Sequence, residues 1–244
     1  MRPRTTSQQH KVVISHEQDT VDIVIHVPFL KAEGLGLITW ASSSVLANQL
    51  HRLDIHPAAL KHNDGIKVLE LGAGTGLVGI SAAVIWHTNV VLTDLAPIVP
   101  GLTGNVDSNK DLLKSSQGSA MVGTLDWNAP ESLFLRDHPE GLYKEITLSN
   151  ATDKASVILA ADTIYWEEHP RMLLTVILAW LGPGEHSRVV FTYPLRVAYI
   201  DHIRELWELL QSNGLESIDE GRIQIDGDEW EDEPLIEWCV WKWK

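Results

Sequence analysis

The stretch Val68-Leu69-Glu70-Leu71-Gly72-Ala73-Gly74-Thr75-Gly76-Leu77-Val78-Gly79 constrains the fold more than any other part of this chain. An apolar strand runs into spaced glycines, and an apolar helix follows at Leu77–Trp86. Glycine lets a ligand approach the backbone, and the next helix N-terminus presents N–H groups without intrahelical partners. The glycine spacing narrows the ligand. A dinucleotide fingerprint, G-x-G-x-x-G, requires glycine three positions after Gly74, and that position is Leu77.

A second strand, Asn89-Val90-Val91-Leu92-Thr93, stops at Asp94. An acid about twenty residues beyond the glycines, at a strand's carboxyl end, is placed to accept hydrogen bonds from ribose hydroxyls. Alone, such an aspartate is more readily a helix N-cap; the glycine loop favours the ribose. Strands and helices then alternate. Strands are expected near 66–71, 89–93, 119–124, 156–160 and 188–193, and helices near 77–86, 97–110, 168–181 and 198–213. That alternation implies an α/β fold, a parallel sheet with helices on both faces. Two later strands, Glu216–Ile225 and Leu235–Trp243, flank an acidic turn and read as a closing antiparallel hairpin. Residues 128–154 read as a polar insertion. Upstream, residues 1–10 read as a disordered tail, and 11–60 as a β-hairpin and helix packed on a core formed by 61–244, one domain overall.

Charge and cysteine content exclude several classes. The net charge of −14 repels phosphate backbones and disfavours nucleic acid as a partner. It suits a basic protein surface. No apolar run reaches the roughly 20 residues of a membrane span. The N-terminus lacks the apolar core of a signal peptide. Cys239 is the single cysteine, so neither an intrachain disulfide nor a thiolate zinc cluster is available, and the histidines show no metal spacing. These features fit a cytoplasmic monomer with a nuclear pool allowed.

Further motifs carry a family likeness. Thr39-Trp40 precedes the first helix, Asp126-Trp127 follows the third strand, and Ala160-Ala161-Asp162-Thr163-Ile164-Tyr165 ends the fourth. With VLELGAGTGLVGI and LTDL, they resemble methyltransferase family 16, the seven-β-strand class I group rich in protein-lysine methyltransferases. The likeness covers roughly residues 30–200. The leading segment GLGLITW resembles fungal members that act on translation elongation factors. The resemblance implies a Rossmann-like, seven-stranded sheet and the cofactor S-adenosyl-L-methionine. It implies that Trp40, Glu70, Gly72, Ala73, Gly74 and Asp94 bind this cofactor, with Asp126 and Trp127 beside the adenine and Ala161 contacting through its backbone. Asp162 and Tyr165 carry over as the acceptor-side, catalytic pair.

The implied reaction is methyl transfer to a lysine of a non-histone protein, with an elongation factor as first candidate. A small-molecule N-methyltransferase with a nicotinamide-like acceptor is the alternative; a non-catalytic cofactor-binding partner protein is a third reading. A lysine ammonium, with a free pKa near ~10.4, must lose a proton before attack. Asp162 would attract the ammonium but raise its pKa, so it cannot account for deprotonation by itself. The segment from Glu216 to Glu237 carries ten acids against one base, Arg222, and holds Trp230 in its turn. Such a field would orient a basic partner.

Overall fold

The computed structural model describes all residues except 1–5, 28–30, 33–34, 37–38, 62–65, 138–143 and 226–234. Strands β1 (Thr6–Val13) and β2 (Thr20–Val27) form an antiparallel ribbon, and β3 (Lys31–Ala32) and β4 (Leu35–Gly36) a short hairpin. Helices α1 (Ala41–Gln49) and α2 (Pro57–Lys61) follow. The core runs β5 (Ile66–Leu71), α3 (Leu77–Trp86), β6 (Asn89–Asp94), α4 (Val99–Ser108), α5 (Lys110–Ser115) and β7 (Ser119–Thr124). It continues through β8 (Ser132–Asp137), β9 (Lys144–Ser149), β10 (Ala155–Ala161), α6 (His169–Trp180), β11 (Arg188–Pro194), α7 (Ile200–Ser212), β12 (Leu215–Gln224) and β13 (Leu235–Trp243).

The main sheet has the order β12-β13-β11-β10-β5-β6-β7-β8-β9. Its centre, β11 to β7, is parallel, and β13 and β12 close one side antiparallel. These make the expected seven-stranded array. The order reverses beside β5, so the crevice opens where the glycine loop leaves that strand. Central strands are buried on both faces, which explains their unbroken apolar runs. Helices α1 and α3 pack on one face, and α6 and α7 on the other.

Two expectations need correction. Residues 128–154 are not a plain insertion: β8 and β9 form an antiparallel hairpin on β7 and extend the sheet to nine strands. Leu133 and Leu135 face the core while Phe134 between them is 41% exposed, the period-two signature of a strand with one face covered. Residues 1–5 lie outside the described residues, and residues 6–10, expected within a disordered tail, belong to β1. Pairing with the apolar β2 satisfies its backbone although its side chains are mostly polar.

Three asparagines dock this ribbon on the helices. Asn48 Oδ1 accepts from Val13 N at 3.0 Å. Asn105 Oδ1 accepts from His26 N at 2.8 Å while its Nδ2 donates to His26 O at 3.1 Å. Asn109 makes the same paired contact with Val24, at 3.0 and 2.8 Å. Spaced four apart on one helix face, Asn105 and Asn109 supply the hydrogen bonds that a neighbouring strand would make. The helix expected over 97–110 also breaks at Asn109, into α4 and α5.

In the closing hairpin, Trp241 is buried edge-on against Trp207 of α7, with ring centres 4.8 Å apart. Trp230 and the whole acidic turn, 226–234, lie outside the described residues. Among the described acids, Glu237 pairs with Arg222 at 2.7 Å and Glu216 with Lys242 at 3.2 Å, so part of the hairpin's charge is compensated internally.

Candidate active site

The carboxyl ends of β5, β6, β7 and β10 converge on one pocket. Lining it are Trp40, Gly72, Ala73, Gly74, Asp94, Asp126, Trp127, Ala161, Asp162 and Tyr165. Every residue expected in the site is there except Glu70.

Glu70 points from β5 into the layer beneath α3. It is 2% exposed, and its Oε2 accepts from Gly79 N at 3.0 Å. It therefore satisfies one of the N-terminal N–H groups of α3, as a capping side chain would. Burial pushes its carboxyl well above the usual carboxylate range, with the Asp94 charge adding to the shift and the Gly79 bond opposing it. A Cβ at Gly79 would collide with Glu70 Oε2 and with Leu92 Cγ at 2.6 Å. The glycine thus serves close strand–helix packing, and Glu70 lies behind the loop, outside the pocket lining.

The glycine loop is held from below. Gly74 N donates to Asp94 Oδ2 at 2.7 Å, and Ala73 N to Thr93 O at 2.9 Å. Asn105 Nδ2 donates to Thr75 O at 2.9 Å, and the Thr39 and Thr75 hydroxyls meet at 2.8 Å. Asp94 also accepts from Leu95 N, through Oδ1 at 2.7 Å. Each carboxylate oxygen has a second lone pair, so Asp94 can brace the loop and receive ribose hydroxyls together. Gly72 sits at φ +62°, and a Cβ there would meet Thr163 Cγ2 at 3.2 Å and the Trp127 ring at 3.4 Å. Glycine at this position lets Thr163 and the Trp127 ring pack directly against the loop backbone.

Opposite the loop, Asp126 Oδ1 accepts from Asn128 N at 2.9 Å, which shapes the turn that presents Trp127. The Trp127 ring meets His169 edge-on at 5.6 Å, and His169 meets Tyr165 edge-on at 4.3 Å. His169 is 4% exposed, and burial lowers its pKa, so the ring is neutral near pH 7. Sequence reading passed over His169 because a single histidine at a helix start carries no pattern. Met172, one turn along α6, joins it in the lining.

Asp162 has φ +57° and is 8% exposed. Its N–H donates to Thr192 O at 2.8 Å, which pins this left-handed residue to β11. Arg196, just beyond β11, grips its carboxylate with two bonds, Nη1 to Oδ1 at 3.1 Å and Nη2 to Oδ2 at 3.2 Å. The guanidinium lies over the rings of Trp40 (5.8 Å) and Tyr199 (5.6 Å). Arg196 was not foreseen; its position at a strand's carboxyl end was the only sequence signal available. Cys239 is buried in β13, and burial pushes its thiol up to about 12, which removes it as a nucleophile. Among the described residues no cluster of His, Cys, Asp and Glu is arranged to hold a metal.

This geometry agrees with the comparisons. A family model for lysine methyltransferases matches residues 17–205. The chain belongs to the lysine methyltransferase family. Protein-lysine N-methyltransferase rrg1 of Schizosaccharomyces pombe is 32% identical over 197 residues, 80% of this chain and 58% of its own length. Protein-lysine N-methyltransferase EFM2 of Saccharomyces cerevisiae is 31% identical over 82% of this chain and 47% of its own. Protein N-lysine methyltransferase METTL21A of Danio rerio is 34% identical over 77% of this chain and 73% of its own. The chain thus spans about half the length of the first two relatives. Among solved structures, magnesium protoporphyrin IX methyltransferase from Synechocystis PCC 6803, with bound SAM, superposes with TM-score 0.51 at 14% identity, covering 82% of this chain and 78% of its own. That likeness shows the class I methyltransferase fold. The family's cofactor is S-adenosylmethionine, and this member's bare glycine loop, its acid at the end of β6 and its aromatic wall at Trp127 fit that group.

Proposed function

We propose that this chain transfers a methyl group from S-adenosylmethionine to a lysine side chain of a folded, non-histone protein, with a translation elongation factor as first candidate. The observation that carries this reading is the buried Asp162, presented with Tyr165 and Trp40 on the same pocket as the glycine loop and Asp94. In this reading Gly72, Ala73, Gly74, Asp94, Asp126, Trp127 and Ala161 hold the cofactor. Asp162 and Tyr165 meet the acceptor.

The bound cofactor supplies a methyl group on a positively charged sulfur, so the C–S electron pair leaves with the sulfur as the amine lone pair forms the N–C bond. The protein's work is alignment and exclusion of water. Trp40 and Trp127 wall the cleft, and the hydrogen-bonded glycine loop fixes the donor's position. Asp162 orients the amine. The remaining N–H proton of the product passes to solvent.

Two features favour a protein acceptor over a small molecule. Trp166 is 52% exposed and Val197 90% exposed on the segments that follow Asp162 and Arg196, an apolar rim suited to contact with a surface. The charge of −14 suits a basic partner. The names of two relatives point the same way: METTL21A is a protein N-lysine methyltransferase, and a further relative in Mus musculus is EEF1A lysine methyltransferase 3. We place the protein in the cytoplasm as a monomer, with a nuclear pool allowed; among the described residues no helix is long and apolar enough to cross a membrane.

The test is incubation of the purified chain with tritiated S-adenosylmethionine and a fungal lysate lacking endogenous small molecules. One labelled protein band, with the label on a lysine by mass spectrometry, supports the reading. Label appearing only after the small-molecule fraction is restored would favour the nicotinamide-like alternative.

A further inference from the structure

Trp127 and Tyr165 stand on the two halves of the pocket, the first on the cofactor's side and the second on the acceptor's. They leave different strands, Trp127 after β7 and Tyr165 after β10, and β5 and β6 lie between those strands in the sheet. Strand pairing therefore does not fix one against the other. A third side chain bridges the gap. The His169 ring meets Trp127 edge-on, with centres 5.6 Å apart and planes at 75°, and meets Tyr165 edge-on at 4.3 Å and 83°. Edge-to-face contact of aromatic rings is attractive.

His169 is itself well held. It is 4% exposed, opens α6, and its N–H donates to Trp166 O at 3.2 Å. Tyr165 N donates to its Nδ1 in a long bond of 3.4 Å. On its other side Trp127 reaches the glycine loop, where a Cβ at Gly72 would meet the indole at 3.4 Å. Contact thus runs without a break from the Gly72 backbone through Trp127 and His169 to Tyr165.

We propose that His169 is a positioning residue shared by both halves of the site: its ring holds Trp127 and Tyr165 in register, so that a cofactor seated against the one and an amine seated against the other are aligned together. The inference rests on the lysine-methylation reading above. In-line displacement tolerates little error in the approach of nitrogen to the methyl carbon, so slack between the two walls costs rate. His169 acts by contact through its neighbours, and its ring rather than its nitrogen carries the effect. Tyr165 has a further interaction of its own, which every variant at position 169 leaves in place.

The experiment compares the wild-type chain with His169→Ala, His169→Asn and His169→Phe. Asparagine keeps an acceptor near the place of Nδ1 and loses the ring; phenylalanine keeps the ring and loses the acceptor. Affinity for S-adenosylhomocysteine is measured by calorimetry. The initial rate of tritium transfer to the lysate protein that the wild type labels is measured at saturating S-adenosylmethionine. The ring-less variants should weaken S-adenosylhomocysteine about two- to tenfold, the scale of one aromatic contact, and should also slow transfer about tenfold at saturating cofactor. His169→Phe should restore both. This double effect separates His169 from groups that serve one half of the site alone.

A double-mutant cycle tests the bridge itself. Trp127→Leu should slow transfer at saturating cofactor when His169 is present, and should add little to the loss in His169→Asn, because the second change breaks a link already broken. Full additivity would make the two walls independent and overturn the inference. So would a loss confined to affinity or to rate, or rescue by asparagine as good as that by phenylalanine. Should His169→Ala fail to fold, His169→Asn carries the comparison. A lowered melting temperature with affinity and rate unchanged would leave His169 a packing residue of α6, and lysine methylation would still stand. A wild-type chain that binds S-adenosylhomocysteine yet labels no lysine overturns the reading and the inference together.

Discussion

Glu70 and Gly79 lock the strand before the glycine loop to the helix after it: the acid's Oε2 accepts the glycine's N–H at 3.0 Å, in a space that no larger residue at 79 would leave open. The carboxyl pKa is raised well above the ordinary 4.5, first by burial. Below about pH 4.5 the group is protonated in the folded and unfolded chains alike, and its contribution is constant. Above it the unfolded chain releases a proton that the folded chain keeps. Stability therefore falls with rising pH until the folded pKa is passed, by at most about 1.4 kcal/mol per pH unit.

Glu70→Gln removes this titration and keeps an acceptor for Gly79. The variant is expected to match the wild type in acid and to exceed it increasingly as pH rises above about 4.5, until the folded pKa of Glu70 is passed. Urea melts at several pH values check it; parallel stability curves would mean that Glu70 is solvated in the folded chain.

Replacing Gly79 tests the same contact from the other side. Gly79→Ala should destabilise the fold by about 1–3 kcal/mol, the scale of overpacking in a tight core, despite alanine's better helix propensity. Pairing it with a shorter acid, Asp, at position 70 should recover part of that loss. Thermal denaturation of the single and double variants gives the answer.

Asp94 carries two duties that a pair of variants separates. Asp94→Ala should weaken S-adenosylhomocysteine binding by about 1.5–3 kcal/mol, the scale of hydrogen bonds to a charged group. Asp94→Asn keeps one acceptor oxygen for the loop and should fall between. Calorimetry at constant pH is the measurement, and unchanged affinity in a folded Asp94→Ala chain would take the ribose role from it.

For Asp162 the backbone decides which variant is informative. At φ +57°, alanine adds a left-handed strain of roughly 1 kcal/mol that asparagine largely avoids. Asp162→Asn should leave cofactor affinity nearly unchanged while methyl transfer falls on the order of a hundredfold or more, the usual range for loss of a positioned polar group in a site. Equal losses in both would place Asp162 on the cofactor instead of the acceptor.

How far the sequence led can be judged from particular residues. The limits of β5 and α3 followed from apolar runs bounded by glycine or polar residues, because buried central strands and the helix packed on them leave that signature. The residues around the pocket were legible for the same reason: they stand at strand ends, where this architecture puts its ligands. Glu70 misled because its place beside the glycines is a matter of chain order, whereas the direction of its side chain depends on the pleat and on the helix packed above. The β8–β9 hairpin was missed since its alternation is short and sits among polar residues. Arg196 is 34 residues from Asp162, and no spacing rule links two groups brought together only by the pairing of β10 with β11.

Asn105 has a consequence for how ligand competence arises during folding. Its one amide reaches His26, 79 positions earlier, and Thr75, 30 positions earlier. The loop that receives the cofactor is therefore finished only when the first ribbon of the chain, the loop itself and α4 have all met. Contacts of such long range form late, since the entropy of closing large loops must be overcome first. Affinity for the cofactor should accordingly emerge together with the native fold and not before it, so that partly folded chains leave the methyl donor untouched.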